Sequence, residues 1–104
     1  MATIDLTVAR SRDVAGVRRR IVGQYTGPAS YVAGGDALLA TELGLGTIEF
    51  LSFENAVNAT PVNRLLTYDH ANEKVVWVIP NTGAEVAGAV DLSGFSARFE
   101  AIGL

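Results

Sequence analysis

Apolar and polar side chains alternate along most of this chain, and a period of two puts successive residues on opposite faces of a strand. Ile4, Leu6 and Val8 alternate with Thr3, Asp5 and Thr7, which predicts a first strand, with Ser11-Arg12-Asp13 turning the chain after it. Residues 17–26 read as a second strand. Val17, Arg19, Ile21 and Tyr25 share one parity and Arg18, Arg20, Val22 and Gln24 the other, so neither face is purely apolar. Gly27-Pro28 ends that run, and a long connection follows through Gly34-Gly35. Residues 47–53, 62–69, 74–79 and 95–102 supply four further strands, and 55–61 is a loop of turn formers. In the last strand Phe95, Ala97, Phe99 and Ala101 point inward while Ser96, Arg98 and Glu100 point outward.

One segment breaks the period. Residues 36–44 read as a short helix of about two turns, with Asp36 placed to accept the first free amides and Gly44 to take the left-handed residue that ends it. Leu39 and Leu43 are four apart and would plug one face onto the sheet. Six strands and one helical plug in a single domain, 1–104, predict an all-β fold: a small antiparallel β-sandwich or barrel-like domain with one short helix in a long loop.

The stretch LTYDHANEKVVWV at 67–79 predicts a hairpin centred on Ala71-Asn72. That register sets Asp69 opposite Lys74, Tyr68 opposite Val75, Leu66 opposite Trp77 and Leu65 opposite Val78. A slip of one residue would throw Trp77 to the wrong face. The returning strand is apolar on both faces: Val75, Trp77 and Ile79 on one, Val76 and Val78 on the other. One set enters the core. The other is either roofed by the loops at 27–46 and 81–94 or buried by another chain.

Composition sharpens that question. The chain has 104 residues, 49% of them hydrophobic and 18% charged, against about a quarter charged in a typical soluble domain. A domain this small buries only about two-thirds of its unfolded surface, so self-association or docking on a larger body is expected. The net charge of −3 is unevenly placed. Residues 1–35 carry five arginines against two aspartates, a net +3, and residues 36–104 carry three cations against nine acids, a net −6. Such a dipole can steer head-to-tail contacts or docking onto an acidic surface. The opening residues lack a signal-peptide pattern and no apolar run reaches the roughly 20 residues a bilayer requires, so synthesis in the cytoplasm and no membrane partner are expected.

Enzymatic signals are thin. There is no cysteine, and the one histidine, His70, falls in the hairpin turn, so a nucleophile-histidine-acid set would have to be built around a turn tip. No histidine-based or acidic-loop metal spacing occurs, and Gly34-Gly35-Asp36 and Gly44-Leu45-Gly46 lack a phosphate-loop pattern; no cofactor is expected. Glu49 and Glu54 are five apart on a strand and face opposite ways. Asp91-Leu92-Ser93-Gly94 and Asn58-Ala59-Thr60 read as turns. Arg18-Arg19-Arg20 is the one charge run, and it reads either as a contact for phosphate or acidic protein or as charge protecting a sheet edge. An acidic pI near 4.9 and the lack of an aromatic platform among the basic residues argue against nucleic acid.

In order along the chain, Gly34-Gly35, Leu43-Gly44-Leu45-Gly46-Thr47-Ile48, Tyr68–Val75, Ala84-Glu85-Val86-Ala87, Asp91-Leu92-Ser93 and Phe99–Leu104 resemble small virion proteins of tailed bacteriophages, over about residues 30–104. Members often carry glycine after the hinge asparagine, where this chain has Glu73. The resemblance implies a non-enzymatic capsid decoration (cement) protein on the outside of the mature head, a homotrimer that bridges neighbouring copies of the major capsid protein. Another virion part, a tail or head–tail connector protein, is the alternative, and a cupin-like ligand-binding or enzymatic barrel a further one. Physical reasoning then nominates Arg18, Arg19 and Arg20 for the capsid contact and Val76 and Val78 for the contact between subunits.

Overall fold

A computed structural model describes residues 3–5, 12–15, 18–60 and 62–104, and these are almost wholly antiparallel strands. In chain order they are β1 (Thr3–Asp5), β2 (Arg12–Ala15), β3 (Arg18–Thr26), β4 (Asp36–Ala37), β5 (Ile48–Phe53), β6 (Ala56–Val57), β7 (Asn63–Asp69), β8 (Lys74–Val78) and β9 (Ser96–Gly103). The strands hydrogen-bond in the order β1-β3-β9-β6-β7-β8-β4, with β2 also on β3 and β5 also on β9, and the sheet curls into a half-barrel. The all-β class predicted from the alternation is the one observed.

The last strand in sequence is the spine of the fold. β9 pairs with β3 from Arg19↔Gly103 to Thr26↔Ser96, and its other side carries β5 and then Val57 of β6. Its odd-numbered side chains, Ala97, Phe99 and Ala101, are buried, as are Ile21 and Tyr25 of β3. The mixed parities of 17–26 are resolved by position, because β3 has neighbours on both edges and only one of its faces meets the core. Gly103 allows a close crossing at the strand's end: a Cβ there would lie 1.9 Å from the Thr47 carbonyl oxygen.

The hairpin has the predicted register. Asp69, Tyr68, Leu66 and Leu65 lie opposite Lys74, Val75, Trp77 and Val78. Val75 and Trp77 are completely buried, and full burial of a side chain of this kind is worth about 1.5–3 kcal/mol. The Asp69 carboxylate accepts the Ala71 and Asn72 amides at 3.1 and 3.3 Å and the Asn72 side-chain amide at 2.8 Å, and Glu73 closes the turn in the left-handed region at φ 55°.

Several local expectations are corrected. Residues 36–44 hold no two-turn helix: only Ala40–Leu43 winds, as a 3-10 turn, and Gly44 follows it in the expected left-handed conformation at φ 75°. The open edge of β8 prevails over helix propensity, because β4 pairs Asp36 with Val75 and Ala37 with Lys74 and the Leu38 amide donates to Glu73 O at 2.9 Å. Asp36 is therefore a buried strand residue, not a cap, and Leu38 and Leu43 fill the core while Leu39 stays exposed. Arg12 and Asp13 belong to β2 rather than a turn, Ala56–Val57 is a short strand within the predicted loop, and β3 is an interior strand, so its arginines protect no edge. The predicted strand positions Leu6 and Val8 lie outside the described residues.

Candidate functional site

The three arginines divide between two faces of β3, and each finds a partner within the molecule. Arg18 forms an ion pair with Glu49 and Arg20 with Glu100, both partly exposed. Arg19 donates to the Gly44 carbonyl at 3.3 Å and so caps the end of the 3-10 turn. The outward row also holds half-buried Ile102, which pairs with Arg20 from β9, and exposed Phe50, which lies across β9 on β5. Exposed pairs of this kind contribute little to stability, yet they neutralise most of the basic stripe seen in the sequence.

Val76 and Val78 lie elsewhere. In strand order β9, β6 and β7 stand between β3 and β8, so the two predicted contact sets are not brought together. On the outward face of β8 both valines are half-buried; Val78 lies opposite Leu65, 39% exposed, Val76 opposite Thr67, and Val57, 41% exposed, follows on β6 beyond β7. The loops expected to roof this face close the strand's far edge instead. At one end β4 pairs with Lys74 and Val75; at the other, Val86 N–H donates to Trp77 O at 2.9 Å and Ile79 N–H to Ala84 O at 2.8 Å. An apolar stripe crossing β6, β7 and β8 is left on the outside.

Behind that strand lies a hydrogen-bonded network that the sequence reading missed. Trp77 donates twice, from its indole to the Tyr25 hydroxyl and from its backbone to the Tyr31 hydroxyl, both at 3.1 Å. Each tyrosine passes the bond to a carboxylate, Tyr25 to Asp36 at 2.6 Å and Tyr31 to Glu85 at 2.8 Å. Glu85 also accepts the Gly34 amide at 2.6 Å, and Tyr68 donates to Leu38 O at 2.7 Å. No buried side-chain polar atom among the described residues lacks a partner. Burial, reinforced by the bond to Asp36, raises Tyr25 beyond the ordinary tyrosine range; burial is the first cause of the rise of Tyr31 and Tyr68 to about 12, with nearby carboxylates adding to it. The Gly34 amide, followed by the Tyr31 hydroxyl, holds the Glu85 carboxyl below its usual value. A signal was present in the sequence: Asp36 is the only charge between Arg20 and Glu42.

His70 meets the edge of Tyr68, ring centroids 4.9 Å apart, and lines a cleft of about 220 Å³ with Tyr68, Glu73, Thr47 and Ile48. No group of three or more metal-ligating side chains occurs among the described residues. A shallow groove of about 270 Å³ crosses the outer face of β3, β9 and β5 over Arg20, Arg98, Ser52 and Glu100. No family model, curated protein or solved structure gives a match to this chain.

Proposed function

We propose that this chain is a non-enzymatic capsid decoration protein, which binds the outer surface of a mature phage head and bridges neighbouring copies of its major capsid protein. The reading rests on the ordered sequence resemblance together with one observation: strand β8 is apolar on both faces, and on its outward face Val78 lies opposite exposed Leu65. A second copy of the chain is the cover this reading assigns to that stripe, with Val76 and Val78 at its centre in a homotrimer. The satisfied core suits such a role, since a bridging protein works by shape and must hold it. Its place is the exterior of the virion, after synthesis in the host cytoplasm.

The experiment is direct. Purified protein mixed with heads assembled without it is expected to co-sediment to saturation, at a stoichiometry of hundreds per head. Failure to bind mature heads would sink the proposal, and a saturation near a dozen copies would point to a connector instead.

A further inference from the structure

Residues 27–35 contain no charged side chain, and neither do residues 86–90. The fold zips these two uncharged loops together. Gly27 N–H donates to Phe95 O at 3.0 Å, Leu92 N–H to Pro28 O at 2.8 Å, Tyr31 N–H to Val90 O at 2.9 Å and Ala89 N–H to Tyr31 O at 2.7 Å. At the tip, Gly35 N–H turns back to Val32 O at 3.0 Å and Glu85 clasps Gly34 N–H and the Tyr31 hydroxyl.

The result is a hydrogen-bonded knuckle whose outside is apolar. Val32 is 63% exposed, the highest value for a large hydrophobic residue among those described, and Val90 is 39% exposed. Ala33, Ala87 and Ala89 are exposed around them. Ala89 holds φ 65°, a conformation a residue with a Cβ adopts only where its surroundings impose it, and strain of this kind gathers where a segment is shaped for a task. A tip fixed before contact loses little freedom on binding.

The charge around the tip selects the partner. Glu85 and Asp91 flank 86–90, and no cation lies in 27–35 or 84–92. Lys74 packs against Gly35, so Glu85, Asp91 and Lys74 together sum to −1. An apolar convex tip with an acidic rim repels phosphate backbones and anionic lipid, and it suits an apolar hollow with a basic rim. We infer that the Val32–Val90 knuckle is the seat by which this protein docks into a basic-rimmed apolar hollow on a larger protein; resting on the proposed function, that protein is the head's shell. The inference moves the capsid contact away from Arg18, Arg19 and Arg20.

The test compares co-sedimentation with undecorated heads for the wild type, Val32→Ser/Val90→Ser and Arg18→Ala/Arg20→Ala. Trp77 fluorescence and circular dichroism verify that each variant is folded. The knuckle variant is expected to lose at least tenfold in affinity and the arginine variant to change little. Val32→Lys is expected to weaken binding more than Val32→Glu. Wild-type binding with an unaffected knuckle variant overturns the inference and leaves the proposed function standing; no wild-type binding overturns the proposed function itself. Loss of self-association in the knuckle variant, seen by light scattering, would make a second copy the occupant, and Val32-dependent flotation with anionic vesicles would make it a membrane. Either result overturns the inference.

Discussion

The indole N–H of Trp77 donates to the hydroxyl of Tyr25 at 3.1 Å, and that hydroxyl in turn donates to the buried carboxylate of Asp36. One phenol oxygen therefore serves two buried groups from well-separated segments of the chain. Tyr25→Phe removes a single atom, fits the same space and orphans both partners. Each unsatisfied neutral group costs about 1–3 kcal/mol and a buried charge more, so the variant is expected to melt at least about 10 °C below the wild type. A thermal scan within about 3 °C of wild type would show that water or a rearranged Asp36 takes over the bond.

All three tyrosines of the chain, Tyr25, Tyr31 and Tyr68, donate to a protein acceptor and all have raised pKa values. Because the folded values exceed the unfolded value near 10, this contribution to stability is complete below pH 10 and is lost as pH rises toward 12 and beyond. Phenolate absorbance at 295 nm is expected to stay flat through pH 10 and then rise cooperatively with unfolding. A third of the absorbance change appearing with a midpoint near 10 would mean that one tyrosine is free.

Much of this architecture was legible because alternation is a local signal. The hairpin register followed from the pairing of Asp69 with Lys74 and of Leu66 with Trp77, and the β9 pattern from inward Ala97, Phe99 and Ala101. What the sequence concealed was set by distant partners. Asp36 looked like a helix cap because nothing nearby shows that β8 needs a strand at its edge. The arginine run looked like an unpaired basic stripe because Glu49 and Glu100, which neutralise two of its members, lie 31 and 80 residues away. The tyrosine network was invisible for the same reason, since Tyr25 and Trp77 are 52 residues apart.

Turn chemistry gives a second stability test. Glu73 sits at φ 55°, where a Cβ crowds the backbone by about 1–2 kcal/mol, while glycine's added freedom in the unfolded chain offsets about 0.4–1 kcal/mol. Glu73→Gly is therefore expected to stabilise the fold by roughly 0.5 kcal/mol, a rise of a few degrees in Tm. Glu73→Val, which adds branching at the same φ, should lower it. A drop in Tm for the glycine variant would show that the Glu73 side chain does more than occupy the turn.

The outward stripe supplies the last expectation. Leu65 and Val78 lie directly across from one another on the face away from the core, so polar substitution there removes little buried packing. A Leu65→Lys/Val78→Lys variant places like charges opposite each other, a local penalty on the order of 1 kcal/mol that a folded domain of this size tolerates. Across a homotypic contact the same charges multiply in an apolar setting, where unpaired cations are far more costly. Light scattering is expected to show the wild type as an oligomer and the double variant as a folded monomer, with Trp77 emission still characteristic of a buried indole. A wild type that stays monomeric at high micromolar concentration would leave the stripe to the shell or to solvent and remove the trimer from the proposed assembly.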